Sequence, residues 1–459
     1  MTEQGYTELE EIQHPLGGDH AGERKYAPAD STLDRIRRWV VYHNVEHVHG
    51  TEEVTYEPDE LVVLCLLRDG RPYIRSFVEH YASMSVKHMV FLDNGSTDGT
   101  VEALEKYDNV TVLRAKLPFR NYQLSMRRYL IRRFGRGRWS LTVDIDELFD
   151  YPYSDVVSLG SLLRYLNEKH CTAVVGQMLD MFSAKALSNA VGEKNELASS
   201  RDEPLKELHR FYDISGVRVQ EYYSAGGYNN VLANEEIKWF RDGIKTILFD
   251  HHAMLSKHPL IFFDGKIIPV DGTMHRVSNA RVADFSCVLF HYKLLDRLYG
   301  QALRAVSEKN YPNRYGKYEK YVSALEASPE LQIKRETARE IKSVNELVEN
   351  QFLVVSGDYM TWVDMEEEKR IVDAMEDAPR RFAEAYFKAR VETQALSVRR
   401  LQRQVQELKR ALEQERQKSQ SLERKHKTLD VQLREIQSSR SWKLITTLGY
   451  VRARVLGKQ

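Results

Sequence analysis

Short apolar runs alternate with amphipathic segments through residues 58–300, and this alternation restricts the fold of the chain more than any other feature. The apolar runs lie at residues 61–67, 88–93, 110–113, 139–143 and 173–178. The amphipathic segments between them lie at 73–83, 100–107, 122–134 and 157–168. Strands that alternate with helices build a mostly parallel sheet with helices on both faces. The sequence therefore predicts an α/β fold.

The remainder of the 459-residue chain divides by composition and periodicity. We predict a flexible N-terminal arm at 1–30, the α/β domain at 31–300 and a helical region at 301–390. A coiled coil at 391–437 and a basic amphipathic tail at 438–459 follow. A chain of this length has room for two or three folded units.

The charges of the whole chain balance, with 67 Lys and Arg against 67 Asp and Glu. This balance gives no support for nucleic-acid binding, and we predict no nucleic-acid partner. Residues 396–459 alone contain 16 Lys and Arg against 6 Asp and Glu. The basic charge is therefore concentrated in the C-terminal part.

The length of the apolar runs and the positions of the cysteines indicate in which cellular compartment the protein is found. The longest run, at 61–67, is far shorter than the roughly 20 residues that a membrane-spanning helix needs. The N-terminus is polar and lacks the apolar segment that a secretory signal contains. The three cysteines are far apart and lie in apolar runs, which indicates reduced core residues rather than disulfides or a zinc site. We predict a cytoplasmic protein.

The first chemical motif is DNGSTDGT at residues 93–100, between an apolar run and a helical segment. Asp93 ends the run, the glycines allow a tight turn, and the Ser, Thr and Asp residues are typical of a helix start. In α/β proteins this edge of the sheet binds ligands. Asp93 is therefore a candidate contact for a nucleotide base or ribose. The alternative is a turn and helix cap with no ligand.

The second motif is the acidic segment Asp144-Ile145-Asp146-Glu147, directly after the run at 139–143. Alternate residues of an extended segment point the same way, so Asp144 and Asp146 are expected to face one side and Ile145 the interior. Clustered carboxylates suit Mg²⁺ or Mn²⁺, which can bridge to a diphosphate. The alternative is an acidic loop that caps the next helix.

Together these motifs have the order and spacing of a known family. Residues 61–150 resemble the family 2 glycosyltransferases of the GT-A fold through LVVLCLL with Arg68-Asp69, the helix YIRSFVEHYASMSV, the turn FLDNGSTDGT and the segment VDIDELF. More narrowly, the chain resembles a bacterial subgroup with KHPL at 257–260, a histidine at 275 and FHYK at 290–293. Many family members have two acidic residues at Asp93-Asn94, and the subgroup often has Asn-Glu at Arg68-Asp69.

The resemblance implies a hexosyltransferase-like enzyme that moves a sugar from a nucleotide-sugar donor to a glycan, lipid-linked or protein acceptor in cell-surface polysaccharide assembly. It implies that Arg68, Asp69, Asp93 and Asp144 bind the donor. Members of the family mostly invert the configuration at the anomeric centre of the transferred sugar.

The resemblance also implies a metal. Asp144 and Asp146 would hold Mn²⁺ or Mg²⁺ against the diphosphate, and His291 would be a third ligand, as a C-terminal histidine is in some GT-A enzymes. The alternative for His291 is a packed structural histidine.

An inverting transferase needs one general base for the acceptor hydroxyl. Asp180, which follows a predicted strand, and Glu147, next to the metal pair, are the candidates. The alternative for each is a helix cap or a hydrogen-bonded loop acid. Two further groups remain open: the arginines at 120, 127 and 128 could reach the diphosphate or form a solvated face, and the aromatic loop at 221–228 could contact the acceptor or be a surface loop.

Two other functions are compatible with the same sequence. A nucleotidyltransferase can share the sheet and the metal carboxylates, although the usual Gly-rich basic loop is missing from LVVLCLLRDG. A catalytically inactive coiled-coil scaffold is the other alternative.

Apolar residues repeat at heptad spacing in the C-terminal part. Nine of the twelve a and d positions are apolar: the a positions are Val398, Val405, Leu412, Ser419, His426 and Leu433, and the d positions are Leu401, Leu408, Glu415, Leu422, Leu429 and Ile436. This pattern predicts a coiled coil and a homo-oligomer. The tail beyond it mixes aromatic and aliphatic residues with Lys and Arg, which predicts peripheral contact with the inner face of the plasma membrane or with a partner protein.

Overall fold

The computed structural model describes residues 31–188, 205–225, 229–308 and 315–375, together with helical positions at 409, 416, 425–432, 434–435 and 438. The chain divides into two compact units, Met1–Arg370 and Ile371–Gln459. The predicted arm, most of the predicted coiled coil and the basic tail beyond 438 lie outside the described residues. Within the described part of the chain, every helix is too short or too polar to cross a bilayer.

The strands have the following bounds. They are β1 (Glu46–His49), β2 (Val62–Leu67), β3 (His88–Asp93), β4 (Val110–Arg114), β5 (Trp139–Val143), β6 (Glu147–Asp150), β7 (Ala173–Asp180), β8 (Leu187–Ser188), β9 (Phe211–Tyr212), β10 (Val217–Glu221), β11 (Val231–Leu232), β12 (Lys238–Asp242), β13 (Ser256–Phe262), β14 (Ile268–Pro269), β15 (Val277–Ser278), β16 (Arg281–His291), β17 (Glu330–Leu331) and β18 (Arg339–Glu340).

The helices alternate with these strands. They are α1 (Thr32–Asn44), α2 (Ile74–Ser83), α3 (Thr100–Leu104), α4 (Phe119–Phe134), α5 (Leu159–Glu168), α6 (Leu205–Leu208), α7 (Tyr222–Ala225), α8 (Ile244–Phe249), α9 (Leu298–Glu308), α10 (Tyr315–Ala327), α11 (Asn345–Glu349) and α12 (Gly357–Met375). A short 3-10 turn, Arg71–Tyr73, precedes α2.

The central sheet has the order β1-β4-β3-β2-β5-β13-β7-β16-β11, and β6 also pairs with β16. The pairings give β2, β3, β4, β5, β7, β11 and β16 one direction, while β1, β6 and β13 run the opposite way. The prediction of a mostly parallel α/β sheet is confirmed. Each of the five apolar runs overlaps a strand of this sheet, and β4 and β7 extend beyond their runs at the carboxyl end.

Both faces of the sheet are covered. In β2, Val63 and Cys65 pack into a core with α2 and α5, whereas Val62 and Leu64 pack into a second core with α1 and α4. This division follows from the alternation of side chains along a strand. A strand buried on both faces needs a continuous apolar run, which explains why residues 61–67 contain no polar residue.

The described residues between Leu298 and Arg370 belong to the same compact unit as the sheet. Helices α8, α9 and α10 contribute to a third core that includes Leu298 and Tyr321. Further along, Tyr359 of α12 stacks on Phe285 with ring centres 4.2 Å apart, and the Trp362 indole donates to Ser161 Oγ at 2.9 Å. The domain boundaries predicted from the sequence remain predictions.

Strand β13 is irregular at KHPL, residues 257–260. The register between β13 and β7 shifts between Lys257 and Leu260, and Pro259, which has no backbone N–H, lies inside this irregularity. The proline ring packs against Gly176 of β7. A Cβ atom at Gly176 would lie 2.9 Å from Pro259 Cγ and 3.1 Å from Cδ.

We therefore expect Gly176→Ala to lower stability by about 1–3 kcal/mol, because neither the proline ring nor the strand can move away cheaply. Thermal unfolding followed by circular dichroism would measure the change. Gly300→Ala in α9 is the matched control, since its Cβ meets nothing within 4 Å, and it should leave the midpoint unchanged or raise it slightly. Equal midpoints for the two variants would contradict the packing argument.

Candidate functional site

The carboxyl ends of the parallel strands meet at one edge of the sheet. Arg68 follows β2, Asn94 follows β3, Asp144 follows β5, and Asp180 and His291 end β7 and β16. Because β13 runs the opposite way, its first residues lie at this same edge. The topology thus gathers side chains that are as far apart in sequence as Arg68 and His291, which are separated by 223 positions.

A cavity of about 990 Å³ opens at this edge. Its wall includes Arg68, Asn94, Asp144, Asp146, Glu147, Lys257 and His291. Asp69, Asp93 and Asp180 are not among the described residues that line it. A polar cavity at the carboxyl end of a parallel sheet is the expected place for a ligand in this fold class.

Asp144 is neutralised by two cations. Its Oδ1 accepts a hydrogen bond from the Arg127 guanidinium, and its Oδ2 lies 3.0 Å from Lys257 Nζ. Arg127, on α4, is only 2% exposed. Burial opposes ionisation of Asp144, but the two cations outweigh burial and lower its pKa. Asp144 is therefore an ionised carboxylate whose two oxygens are already paired with cations of the protein.

Glu147 shares Lys257 with Asp144. The Lys257 ammonium donates to Glu147 Oε1, and the Asp144 backbone N–H donates to Glu147 Oε2 at 3.1 Å. Burial raises the pKa of Glu147, and the opposing effect of Lys257 does not cancel this rise. For Lys257, burial favours the neutral amine, but Asp144 and Glu147 outweigh it and raise the pKa of the ammonium.

Asp146, Glu147 and His291 form a candidate metal group. Each offers one ligand atom, and these atoms lie within 4.8 Å of one another. His291 pairs with Glu147 across the β6–β16 ladder, and the Tyr292 N–H donates to the Asp146 carbonyl at 2.8 Å. Strand pairing therefore fixes the spacing of the three residues.

Two neighbouring side chains adjust the acidity of Asp146. Burial opposes its ionisation, but Lys293 and His291 outweigh burial and lower the pKa of this carboxyl group. Lys293 Nζ lies 3.6 Å and His291 Nε2 lies 3.7 Å from Asp146 Oδ2. Asp146 is thus charged and lies beside the imidazole that could share a metal with it.

Asp180 fixes the orientation of His291. Residues Asp180 and His291 are paired in the parallel β7–β16 ladder, and Asp180 Oδ1 lies 2.6 Å from His291 Nδ1. Lys245 Nζ lies 2.9 Å from the same oxygen. Burial raises the pKa of Asp180, but Lys245 and His291 outweigh burial and bring it to about 2. The hydrogen bond to Nδ1 leaves Nε2 directed toward Asp146.

The other three residues predicted to bind the donor have different surroundings. The Asp93 side chain is 0% exposed and accepts hydrogen bonds from the Gly95 and Ser96 N–H groups at 3.2 and 2.9 Å. Asp69 Oδ1 accepts from the Thr97 N–H at 2.9 Å. Both carboxylates organise the turn after β3, whereas Arg68 lines the cavity.

The aromatic loop predicted at 221–228 is described up to residue 225. Its Tyr222 is buried and its hydroxyl lies 2.8 Å from His258 Nε2. His258 Nδ1 lies 3.2 Å from the His275 carbonyl, so this ring nitrogen donates and Nε2 accepts from Tyr222. Burial lowers the pKa of His258 to about 4. His258 is therefore a neutral core residue that anchors the loop.

Several functional side chains were missed or only partly recognised from the sequence. Lys245 contacts Asp180 and stands in no motif. Lys293, the last residue of FHYK, contacts Asp146 and was given no role from the sequence. Arg127 was grouped with Arg120 and Arg128, and only its helical position facing the sheet distinguishes it. The amphipathic period of α4 could have indicated this difference, because Arg127 lies among the buried positions of that helix.

Comparisons with known proteins give weak likenesses. No protein-family model and no curated protein matches the chain. A nucleotidyl transferase from Methanothermobacter thermautotroptrophicus is 16% identical over 28% of this chain and 63% of its own length, with a TM-score of 0.17. The mannosyltransferase PcManGT from Pyrobaculum calidifontis, in complex with GDP-Man and Mn²⁺, is 13% identical over 73% of this chain and 91% of its own, with a TM-score of 0.24.

A UDP-glucose pyrophosphorylase complexed with UDP-glucose is 9% identical over 58% of this chain and 97% of its own, with a TM-score of 0.21. All three TM-scores are below 0.5, and the fold and site described above do not depend on these likenesses.

Replacing Lys257 by Met should destabilise the fold by about 3–5 kcal/mol, because Asp144 and Glu147 would lose a buried counter-charge. Urea unfolding at pH 7 would measure the loss. Adding Glu147→Gln to the same chain should recover part of it. Lys238→Met is the control, since Lys238 pairs with Glu221 at a partly exposed position and should cost under about 1 kcal/mol. Equal losses for the two single variants would contradict this assignment.

Acid should destabilise the protein partly through His258. Its folded pKa of about 4 lies below the ordinary histidine value of 6.5 that holds in the unfolded chain. The unfolded chain therefore binds more protons between these limits, and stability falls as the pH drops through that window. The contribution is about 3 kcal/mol at most. In urea titrations from pH 7 to 4, His258→Gln should show a flatter decline than the parent protein. Parallel curves would contradict a neutral His258.

Proposed function

We propose that this protein transfers a sugar from a nucleotide-sugar donor to a glycan, lipid-linked or protein acceptor in a metal-dependent reaction. The observation that carries the proposal is the group formed by Asp146, Glu147 and His291, whose ligand atoms lie within 4.8 Å of one another. This group lines the cavity at the carboxyl edge of the sheet. The family resemblance of residues 61–150 supports the same reaction class.

The donor atoms of the group fit a divalent cation. Two carboxylates and one imidazole are suitable ligands for Mn²⁺, and carboxylates with water also suit Mg²⁺. Asp146, Glu147 and His291 would hold the ion. When bound, the ion would supply Lewis-acid stabilisation for a departing diphosphate. Asp144 belongs to the same acidic segment, but its two cations make it a supporting residue rather than our choice of ligand.

The rest of the donor site follows from position on the sheet. Arg68 and Asn94 line the cavity after β2 and β3, on the side of the sheet beyond β5. We assign the nucleoside to this side and the diphosphate to the neighbourhood of Lys293 and the metal group. Asp69 and Asp93 would shape the turn beside the nucleoside, since their carboxylates accept hydrogen bonds from backbone N–H groups.

The general base is chosen from Asp180 and Glu147. Asp180 has a pKa of about 2 and is bonded to His291, so it is a weak proton acceptor and a suitable positioning residue for the imidazole. Glu147 lines the cavity and has a raised pKa, which makes it the better acceptor of the two. If Glu147 served as the base, Asp146 and His291 would hold the ion without it. Measuring both Mn²⁺ affinity and turnover for Glu147→Gln separates the ligand role from the base role.

Asp146→Asn and His291→Ala should each abolish Mn²⁺-dependent release of nucleoside diphosphate, because each removes one ligand from the metal group. The assay would supply a panel of nucleotide sugars with Mn²⁺ or excess chelator and detect the released nucleoside diphosphate. Mn²⁺ affinity, measured by titration calorimetry, should fall about 10-fold or more in both variants. Asp108→Asn, at an exposed turn, is the control and should behave like the parent protein.

The products distinguish the competing functions. A glycosyltransferase releases a nucleoside diphosphate, whereas a nucleotidyltransferase working from a nucleoside triphosphate and a sugar phosphate releases pyrophosphate. Pyrophosphate as the metal-dependent product would overturn the proposal in favour of the latter. Absence of binding to every nucleotide tested, with or without Mn²⁺, would favour a scaffold.

A further inference from the structure

Strand β12 presents a second polar surface to the cavity. Trp239 and Arg241 are two residues apart and therefore lie on the same face of β12. Gln220 of β10 lies directly opposite Trp239 in the antiparallel pair. All three residues line the cavity that contains the metal group. We call this surface, made by Gln220, Trp239 and Arg241, the β12 face.

Two hydrogen-bond donors of the β12 face have no partner among the described residues. Trp239 is 0% exposed, and no described residue accepts a hydrogen bond from its Nε1. The buried Nε of Arg241 is also unpartnered within the described ranges. Buried polar atoms are nearly always hydrogen-bonded in folded proteins. Two such donors two residues apart on one strand therefore indicate a ligand with acceptor atoms.

The charge of Arg241 is also uncompensated. Five other cations of the cavity wall lie within ion-pair distance of a carboxylate: Arg68, Lys245, Lys257, Arg276 and Lys293. No ion pair joins Arg241 to an acid in the described part of the chain. The neighbouring Asp242 is bound by Arg218 and His252. A partly buried cation without a counter-charge is costly, which favours an anionic ligand.

We infer that the β12 face binds an anionic group, a phosphate or a carboxylate, on the acceptor substrate. An indole N–H and a guanidinium are donors without acceptor capacity, and oxygen atoms that carry negative charge satisfy both. This inference rests on the proposed function, because it assigns the anion to the acceptor of that reaction.

The position of the β12 face explains why we assign the anionic group to the acceptor rather than to the donor. Trp239 packs against His258 of β13 with ring centres 5.6 Å apart, and the Lys238 carbonyl accepts from Gln177 of β7 at 3.0 Å. The nucleoside side of the cavity lies at β2 and β3, on the opposite side of β5 from β13 and β7. Donor and acceptor must approach the metal group from different sides, so the β12 face belongs to the acceptor.

The first test compares three sugars in the presence of chelator, so that the metal site takes no part. Glucose 6-phosphate, glucuronate and glucose would be titrated into the full-length protein by calorimetry. We expect at least one anionic sugar to bind about 10-fold more tightly than glucose. Arg241→Met should remove this preference, Arg241→Lys should retain part of it, and Trp239→Phe should weaken anion binding about 3-fold.

Arg35→Met is the matched control, since Arg35 is exposed on α1 and lies outside the cavity wall. It should bind all three sugars as the parent protein does. Thermal unfolding of each variant would confirm that the fold is kept, and Arg241→Lys preserves the charge if Arg241→Met is unstable. Equal affinity of the parent protein for the three sugars, or no measurable binding of either anion, would overturn the inference.

The second test separates the acceptor from the donor. UDP, GDP, CDP and ADP would be titrated with Mn²⁺ into the parent protein and into Arg241→Met. We expect unchanged nucleotide affinity in the variant. A loss of about 10-fold for a nucleotide, with the sugars unaffected, would assign the β12 face to the donor diphosphate and overturn the inference. Failure of every nucleotide to bind the parent protein, with the sugar preference intact, would instead refute the proposed function.

Discussion

The buried ammonium of Lys257 holds the site together. It lies between Asp144 and Glu147 and contacts both carboxylates, and so it ties the start of β13 to the end of β5 and the start of β6. Separating these charges inside the protein would leave an acid without a counter-charge, at a cost of several kcal/mol. The Pro259 irregularity and Gly176 support this contact because they set where the first residues of β13 lie.

The same interaction gives the acidic residues of one short segment different roles. Both oxygens of Asp144 are paired, one with Arg127 and one with Lys257, and these cations lower its pKa. Glu147 keeps a raised pKa although it shares the same lysine. Asp146 is left beside His291 at the cavity. The neighbours of each carboxylate, rather than its residue type, therefore decide which acid is available to a ligand.

The sequence was sufficient for the α/β fold and for the edge at which the site lies, since both follow from apolar periodicity and from residues that end strands. It was not sufficient for the pairing of Asp180 with His291, because that pairing needs the register of β7 against β16 across 111 residues. Whether the Asp93 carboxylate stabilises a turn or binds a ligand was also open, because the local sequence is the same in both cases. Arg241 belongs to no motif, and only the register of β10 against β12 identifies its face.

The site thus combines two kinds of support. The metal group is fixed by strand pairing within the central sheet, where His291 faces both Glu147 and Asp180 across ladder positions. The β12 face belongs to a separate two-stranded ribbon, β10–β12, that contacts the sheet through Gln177, Ser256 and His258. Substitutions on this ribbon can change which group binds there without moving the ligands of the metal group. In the proposed transferase, such an arrangement would allow the choice of acceptor to vary while the chemistry of the donor side stays the same.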